Sequence, residues 1–414
     1  MEVKKRILLL GINCFPELTG IGKYTGEMVQ WLAENDYDTT VVTSYPYYPY
    51  WKVQAPYSGK SYKKETYAGG RLTLYRCPMY VPENPSGLKR LIHEATFFCS
   101  AFFIVFKLLF KKRNDLIFSV APPFHLGFLA LFYRFFKGGK IVYHIHDLQI
   151  EAARDLNMLK SDGIFSVLFA LERFILKRVD FVSTVSEGMI RKVAAKVNKE
   201  VILFPNWVNT SAFYPLENRD QLKELWDYRP EDKVVLYSGS IGEKQGLESL
   251  ISIAGELQSI PEIKFLICGT GPYKEKLASL AEKAGLLNMR FLPLQENDVF
   301  NKFLNMADVH LVLQKGDASD LMMPSKLTTI LAVGGTALVT ANEGTTLCDV
   351  MKKHRMGKVI IPESREALIS GIVELCNDED PSFYRNNARN YSRSFLDKEG
   401  ILRSAMSRFF SNVS

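Results

Sequence analysis

Short apolar runs alternate with helical periods from end to end, and this alternation constrains the chain more than any other feature. In the first half the runs read "RILLLGIN", "TTVVTS", "RLTLYRCPMY", "DLIFSV", "KIVYHIHD", "DFVSTVS" and "VILFPNW". Between them, apolar residues recur at helix spacing, as in Tyr24, Met28, Trp31 and Leu32. A second series follows the polar stretch "LENRDQLKELWDYRPEDK", with "KVVLYSGSIG", "IKFLICGTG", "MRFLPL", "VHLVLQ", "TALVTA" and "KVIIP". Strands this continuously apolar must be covered on both faces, which predicts parallel sheets between layers of helices. Two series predict an α/β chain of two Rossmann-like domains, residues 1–207 and 208–380, joined near Asn206–Pro215. The tail, 381–414, reads as helix through Tyr391, Phe395, Leu402, Met406, Phe409 and Phe410. It adds no strand and is expected to pack back on one of the two domains.

With 414 residues, 47% of them hydrophobic, each domain can bury a core. The net charge of +7 is mildly basic, short of what a nucleic-acid-binding surface demands, and no nucleic-acid partner is expected. The six cysteines are scattered without a C-x-x-C pair, which argues against zinc and against a disulfide framework. The opening "MEVKKRILLLGIN" reads as a first strand rather than a signal peptide, so a reducing, cytoplasmic setting is expected.

Ligands of open α/β sheets bind beyond the carboxyl ends of the strands, which directs attention to the loops there. The first is "PELTGIGKYTGEM", Pro16 to Met28. A P-loop would put its first glycine at Glu17 and a Ser or Thr after Lys23, where Tyr24 stands. The dinucleotide fingerprint fails too, because Gly20, Gly22 and Gly26 are spaced G-x-G-x-x-x-G and no acid ends the second strand. The loop is glycine-rich at a helix start without being either motif.

In the second domain, "YSGSIGEKQGLESL" repeats the strand–glycine–helix form. Gly239, Gly242 and Gly246 are expected to turn backbone amides outward at a helix start, with Lys244 and Gln245 adding a charge and a donor. In "MMPSKLTTILAVGG", Pro324 and Ser325 open a helix and Lys326 falls in its first turn. A cation there opposes the helix dipole unless an anion binds beside it. The other reading is a solvated surface lysine. Two such helix starts suit the two phosphates of a nucleotide diphosphate.

His144 and His146 share one face of a strand, but no third residue at metal-ligand spacing accompanies them, so no metal is expected. His144 reads as a core histidine, whereas His146, beside Asp147 at the strand's end, is placed to touch a substrate. "ATFFCSAFFIVFKLLFKKR", Ala95 to Arg113, is apolar for about sixteen residues, fewer than a membrane span requires. "FLALFYRFFKGGK", Phe128 to Lys140, mixes aromatics with basic residues in the same way. Both a pair of buried helices and a helix face lying in a membrane interface fit these segments.

Taken in order, "GINCFPELTGIGKYTGEM", "YPYYPYW", "HIHD", "FPNWVN", "SGSIGEKQGLE" and "PSKLTTILAVGG" resemble the family 4 glycosyltransferases of GT-B fold. More closely, they resemble the colanic-acid fucosyltransferase subgroup of exopolysaccharide biosynthesis. The resemblance runs over nearly the whole chain. It implies two Rossmann-like domains with a central cleft, the second binding a nucleotide sugar and the first an acceptor, and a C-terminal helix returning to the first. The donor-binding residues it implies are Gly20 and Gly22 from the opening loop, Gly239, Ser240, Lys244, Gln245, Gly269 and Gly271. Pro324, Ser325, Lys326 and Thr329 complete them. Acceptor binding would fall to Tyr47, Tyr48 and Asp147, and the catalytic candidates are His146, near the transferred sugar, and Lys326, on the departing diphosphate.

The chain departs from the broad family in two places. The family's paired glutamates fall at Leu321 and Thr329, leaving Asp317 or Asp320 to grip the ribose, and its Arg-plus-Lys pair becomes Ser240 with Lys244 or Gln245. The implied reaction is sugar transfer with retention of configuration, without metal or cofactor. The implied donor is a nucleotide-diphosphate sugar such as GDP-fucose, and the acceptor a polyprenyl-diphosphate-linked saccharide at the cytoplasmic face of the plasma membrane. Two other readings stand beside it. One is a sugar-nucleotide epimerase of the same architecture, disfavoured by the poverty of acids around Leu321. The other is a catalytically dead peripheral membrane protein.

Overall fold

The structure is a computed structural model that describes residues 4–155, 162–242, 245–271, 273–314 and 324–411. The chain divides into two units, Met1–Pro205 with Leu402–Ser414, and Asn206–Ile401.

The first unit is built on β1 (Arg6–Leu10), β2 (Asp38–Ser44), β3 (Lys63–Tyr67), β4 (Leu72–Cys77), β5 (Leu116–Ala121), β6 (Lys140–Ile145), β7 (Phe181–Thr184) and β8 (Val201–Leu203). They form one sheet in the order β3-β4-β2-β1-β5-β6-β7-β8. All neighbours are parallel except β3 and β4. The expected strands are present, and β3 is an addition. Its sequence, "KKETY", carries the charge typical of an exposed edge, which hides it from a search for apolar runs. The helices are α1 (Gly20–Glu34), α2 (Gly87–Leu108), α3 (Leu126–Lys137), α4 (Gln149–Asp155), α5 (Asp162–Arg178) and α6 (Glu187–Ala194).

The second unit has six parallel strands, β9 (Lys233–Ser238), β10 (Ile263–Cys268), β11 (Met289–Leu292), β12 (Val309–Val312), β13 (Ala337–Thr340) and β14 (Gly357–Ile360). Their order is β11-β10-β9-β12-β13-β14. Its helices are α7 (Arg219–Leu222), α8 (Glu248–Glu256), α9 (Lys274–Lys283), α10 (Asn297–Asn305), α11 (Ser325–Ala332), α12 (Thr346–His354), α13 (Arg365–Cys376) and α14 (Ser382–Phe395). Both sheets are doubly wound. The chain reverses its direction of winding between β1 and β5 in one and between β9 and β12 in the other, and the crevice at such a point is where ligands bind.

The tail differs from expectation, because it is two helices serving two units. α14 buries Ala388 against α11 and α12 in the second unit. In α15 (Lys398–Ser411), the residues from Leu402 onward belong to the first unit. There Phe409 meets Phe118, Phe181 and Phe204, and Phe410 stacks on Tyr37.

α2 begins at Gly87, earlier than its apolar stretch. At 22 residues it is, among the described residues, the one helix long and apolar enough to cross a membrane. One of its faces is core, with Phe97, Ala101, Ile104, Val105 and Leu108 buried. The opposite face is exposed, with Phe103 at 59% and Phe106 beside it, and Phe135 of α3 is 82% exposed. The helix is thus buried on one side and apolar toward solvent on the other.

Candidate active sites

In the first unit, the loop after β1 folds around a carboxylate. Glu17 is buried, and its Oε1 accepts hydrogen bonds from the amides of Tyr47 and Tyr48, both at 2.9 Å, while Oε2 accepts from Asn13 Nδ2 at 2.9 Å. Gly22 makes the space, since a Cβ there would lie 2.3 Å from Glu17 Oε2. Gly26 likewise admits Phe15, and Gly20 takes the left-handed conformation at φ 60° with Tyr48 packed against it. Arg76, fully buried, clamps the same loop. It donates to Phe15 O at 2.8 Å and to Ser44 O at 3.2 Å, and pairs with Glu65 at 2.8 Å. The loop's glycines therefore have packing reasons of their own. The N-terminus of α1 has no side-chain cap and no acid in its first turn, which leaves it open to an anion.

Beside this loop, at the β1–β5 crevice, lies a pocket of about 240 Å³. Asn13 and Pro122 supply the ends of the two strand loops. Tyr47 and Trp51 come from the loop after β2, Arg90, His93 and Glu94 from the start of α2, and Asp147 and Gln149 from the end of β6. Trp51 and Tyr47 form an aromatic wall against His93, with ring centroids 5.4 and 4.7 Å from it, and the Arg90 guanidinium lies 5.3 Å over Trp51. Gln149 Nε2 donates to both Glu94 oxygens, at 2.7 and 2.8 Å. Burial pushes the Glu94 carboxyl up to about 7, against the opposing pull of Gln149 and Arg90.

Of the expected acceptor residues, Tyr47 and Asp147 line this pocket, whereas Tyr48 turns to Gly20. His146 is not at an open strand end, as the sequence suggested. It is buried between Tyr24 and His144, with ring centroids 6.1 and 4.4 Å away. Burial pushes its imidazole down to about 4, so it is neutral. His144, bonded to Ser183 Oγ at 3.0 Å, is a core histidine. The sequence reading missed Glu94, Gln149, Arg90 and Trp51; the signal available was a His-Glu pair set inside an apolar helix.

In the second unit, the loops after β9 and β10 bond to each other and not outward as expected. The Gly239 amide donates to Cys268 O and that of Ile241 to Thr270 O, both at 2.9 Å. The glycines permit this approach, because a Cβ at Gly269 would lie 1.8 Å from Gly239 O and one at Gly271 would lie 2.1 Å from Ile241 O. Gln245 is likewise turned inward, its Oε1 accepting from the Gly242 amide at 3.1 Å. Lys244, Leu321, Asp317 and Asp320 lie outside the described residues.

What these loops enclose is Lys326. Its Nζ sits 3.8 Å from the centroid of Tyr237, whose hydroxyl donates to Ser240 O at 2.7 Å. A Cβ at Gly239 would meet that Nζ at 3.0 Å. Lys326 is half-buried, no carboxylate among the described residues pairs with it, and the desolvation of its enclosed amine pushes that amine down to about 7. α11 opens at Pro324 without a side-chain cap and without an acid in its first turn, so among the described residues its first amides have no side-chain acceptor. Thr329 spends its hydroxyl proton on Lys326 O at 2.9 Å, inside its own helix. At the β9–β12 crevice a second pocket of about 240 Å³ is lined by Gln245, Gln314, Thr340 and Glu363. Among the described residues, no group of three histidine, cysteine or acidic side chains could hold a metal ion.

Two doubly wound sheets, each with glycine-enclosed loops at its crevice, are the frame of a GT-B glycosyltransferase. The family models agree. Residues 19–207 match the glycosyl transferase 4-like domain and residues 218–395 match the glycosyl transferases group 1. The Escherichia coli (strain K12) protein named as a colanic acid biosynthesis glycosyl transferase, WcaI, is 41% identical over 408 residues, covering 96% of this chain and 98% of its own. The chain belongs to the family 4 glycosyltransferases. Among solved structures, sucrose-phosphate synthase from Thermosynechococcus elongatus aligns with a TM-score of 0.73 at 16% identity, over 99% of both chains. WaaG, a glycosyltransferase of lipopolysaccharide biosynthesis, aligns at 0.68 and 14%, over 97% of this chain and 99% of its own. Anabaena HepE in complex with UDP-glucose aligns at 0.67 and 12%, over 98% and 99%. At these identities the structural likenesses speak for the fold alone.

Proposed function

We propose that the chain transfers a deoxy sugar, L-fucose or a relative, from a nucleotide diphosphate held by the second unit to a lipid-linked saccharide held by the first. The setting would be exopolysaccharide biosynthesis. The observation that carries this reading is Lys326, a half-buried residue whose amine lies against Tyr237 at an uncapped helix start, with no carboxylate partner among the described residues. A diphosphate there would accept from the helix amides and hold Lys326 in its charged form. The β9–β12 pocket suits the nucleoside, with Glu363 as the carboxylate on hand for a ribose. In the first unit, the Trp51 and Tyr47 wall suits a sugar face, and Glu94, Gln149, Asn13 and Asp147 suit its hydroxyls.

In the reaction, the bond from the anomeric carbon to the diphosphate breaks and the acceptor oxygen bonds to that carbon on the same face. The acceptor's proton passes to the departing diphosphate. Lys326 and the start of α11 stabilise the charge that develops on the leaving group, where preorganised cations and amides act most strongly. The role in polysaccharide synthesis is supported by the name of the E. coli relative, and a nucleotide sugar by the UDP-glucose complex of HepE. Fucose is supported by the subgroup resemblance alone. The exposed aromatics of α2 and α3, with Lys107, Lys111, Lys112 and Arg113 alongside, suit the cytoplasmic surface of an anionic membrane, where a polyprenyl-linked acceptor resides.

The test is a thermal-shift panel with GDP, UDP, CMP, GDP-fucose and UDP-sugars, followed by transfer of radiolabelled sugar to a lipid extract. Saturating ligand at about a hundred times its dissociation constant adds roughly 2.7 kcal/mol and raises the melting temperature visibly. Stabilisation by GDP and GDP-fucose with label transferred supports the reading in full, and a UDP response moves the donor to a UDP-activated sugar. Silence from every nucleotide overturns the donor site and favours the dead transferase.

A further inference from the structure

The second unit holds another pocket, at the end of α11 opposite Lys326. It encloses about 400 Å³ and is lined by Arg219, Arg385, Arg389 and Asp380. Two of the arginines have structural work. Arg219 Nη2 donates to Val333 O and Gly334 O, and Arg389 Nη1 donates to Ala332 O at 2.8 Å and Phe213 O at 2.9 Å. Both satisfy carbonyls left open where α11 ends.

Arg385 has no such work. Its side chain makes no hydrogen bond or ion pair to any described residue, and its Nε is buried without a partner, as is Nη1 of Arg219. Asp380, the one acid lining the pocket, already accepts from the Ser382 amide at 3.2 Å. The nearby Asp308 is committed to Lys223 at 3.1 Å and to the Val234 amide at 2.7 Å. Three guanidiniums against one carboxylate leave a surplus of two positive charges in one concavity. The neighbourhood registers it. Burial and then Arg385 push Arg219 down to about 10, while burial and then both arginines push the buried His310 down to about 3.

Guanidiniums gathered in one concavity without matching counter-charge repel one another, and a tetrahedral dianion is the ligand that pairs with several at once. We propose that this pocket is a binding site for a phosphate group, held by the guanidinium of Arg385 with the charges of Arg219 and Arg389 beside it. The group would be carried by inorganic phosphate or by a lipid headgroup. The proposal is independent of the sugar-transfer reading, since it uses none of the residues assigned to donor or acceptor.

The test titrates inorganic phosphate into the full chain at fixed ionic strength, with chloride as the compensating salt, following melting temperature and 31P line width. Phosphate should stabilise the wild type beyond chloride. Arg385→Ala, which removes no hydrogen bond seen here, should bind phosphate at least about tenfold more weakly, with Arg385→Lys intermediate. The response should persist in Lys326→Ala, whose nucleotide site would otherwise be a second source of phosphate binding. A parallel arm sediments the chain with phosphatidylcholine vesicles containing phosphatidate. Vesicle binding that Arg385→Ala loses, without a response to free phosphate, assigns the group to a lipid; the converse assigns it to free phosphate. An Arg385→Ala protein equal to wild type in both arms, or a phosphate response abolished by Lys326→Ala, overturns the proposal.

Discussion

The loops after β1 and after β9 occupy the same station in the two units, and both use glycine to make room for an ionisable group. What they do with that group differs. Around Glu17 the chain supplies its own partners, two tyrosine amides and an asparagine, and Arg76 locks the loop from behind. Around Lys326 it supplies a tyrosine face and, among the described residues, no counter-charge. The first loop is finished as folded and serves to position the wall of the neighbouring pocket. The second is the one we propose a diphosphate completes. Sequence alone showed two glycine-rich helix starts; only the partners of the enclosed charge tell a scaffold from a binding site.

The sharpest way to break this contrast is Lys326→Ala. Transfer should fall by about a hundred- to a thousandfold in kcat, the usual cost of losing a group that stabilises the leaving charge, while circular dichroism stays unchanged. Near-wild-type turnover would return Lys326 to the status of a packed core amine. Gly22→Ala probes the other side. Its Cβ would overlap Glu17, so stability should drop by about 1–3 kcal/mol and the melting temperature with it, while the nucleotide-induced shift in the second unit is preserved.

Glu94→Gln should raise the KM for acceptor by about tenfold, the usual weight of one charged hydrogen bond, and leave nucleotide affinity alone. It should also remove a transition near pH 7 from the acceptor's pH profile, because that is where burial places the Glu94 carboxyl. A Glu94→Gln profile identical to wild type would detach the pocket from the acceptor.

The smallest effect is a protonic one. Lys326 titrates near 7 in the folded protein and at its ordinary 10.5 in the unfolded chain. Between those values the unfolded chain binds the extra proton, so this group makes stability rise with pH across that window. A diphosphate needs the charged amine, so nucleotide affinity should fall through the same window, by at most about tenfold per pH unit. Proton uptake on nucleotide binding, read by calorimetry in buffers of different ionisation enthalpy, would show it, and Lys326→Ala should abolish it.

Much of the fold was legible because continuous apolar strands announce parallel sheets. β3 was not, since an edge strand of lysines and a glutamate lacks that signature. The tail was legible as helix but not as two helices, because Phe395 and Phe409 look alike in sequence while they pack in different units. Lys326 could be found from its place in a first helical turn. The pocket of the first unit could not, because Trp51, Glu94 and Gln149 come from three separate segments that only the strand order brings together. The glycines after β9 misled for a physical reason, since a backbone amide aimed at a neighbouring strand and one aimed at a phosphate need the same residue.

α11 is eight residues long, about 12 Å from end to end, with Lys326 in its first turn and Arg219 and Arg389 fastened to its last carbonyls. Whatever binds at one end of so short a helix does so against groups that anchor the other. If phosphate among the arginines alters the affinity for nucleotide by some factor, nucleotide must alter the affinity for phosphate by the same factor. A single pair of titrations, each run with and without the other ligand, would therefore measure one coupling free energy twice.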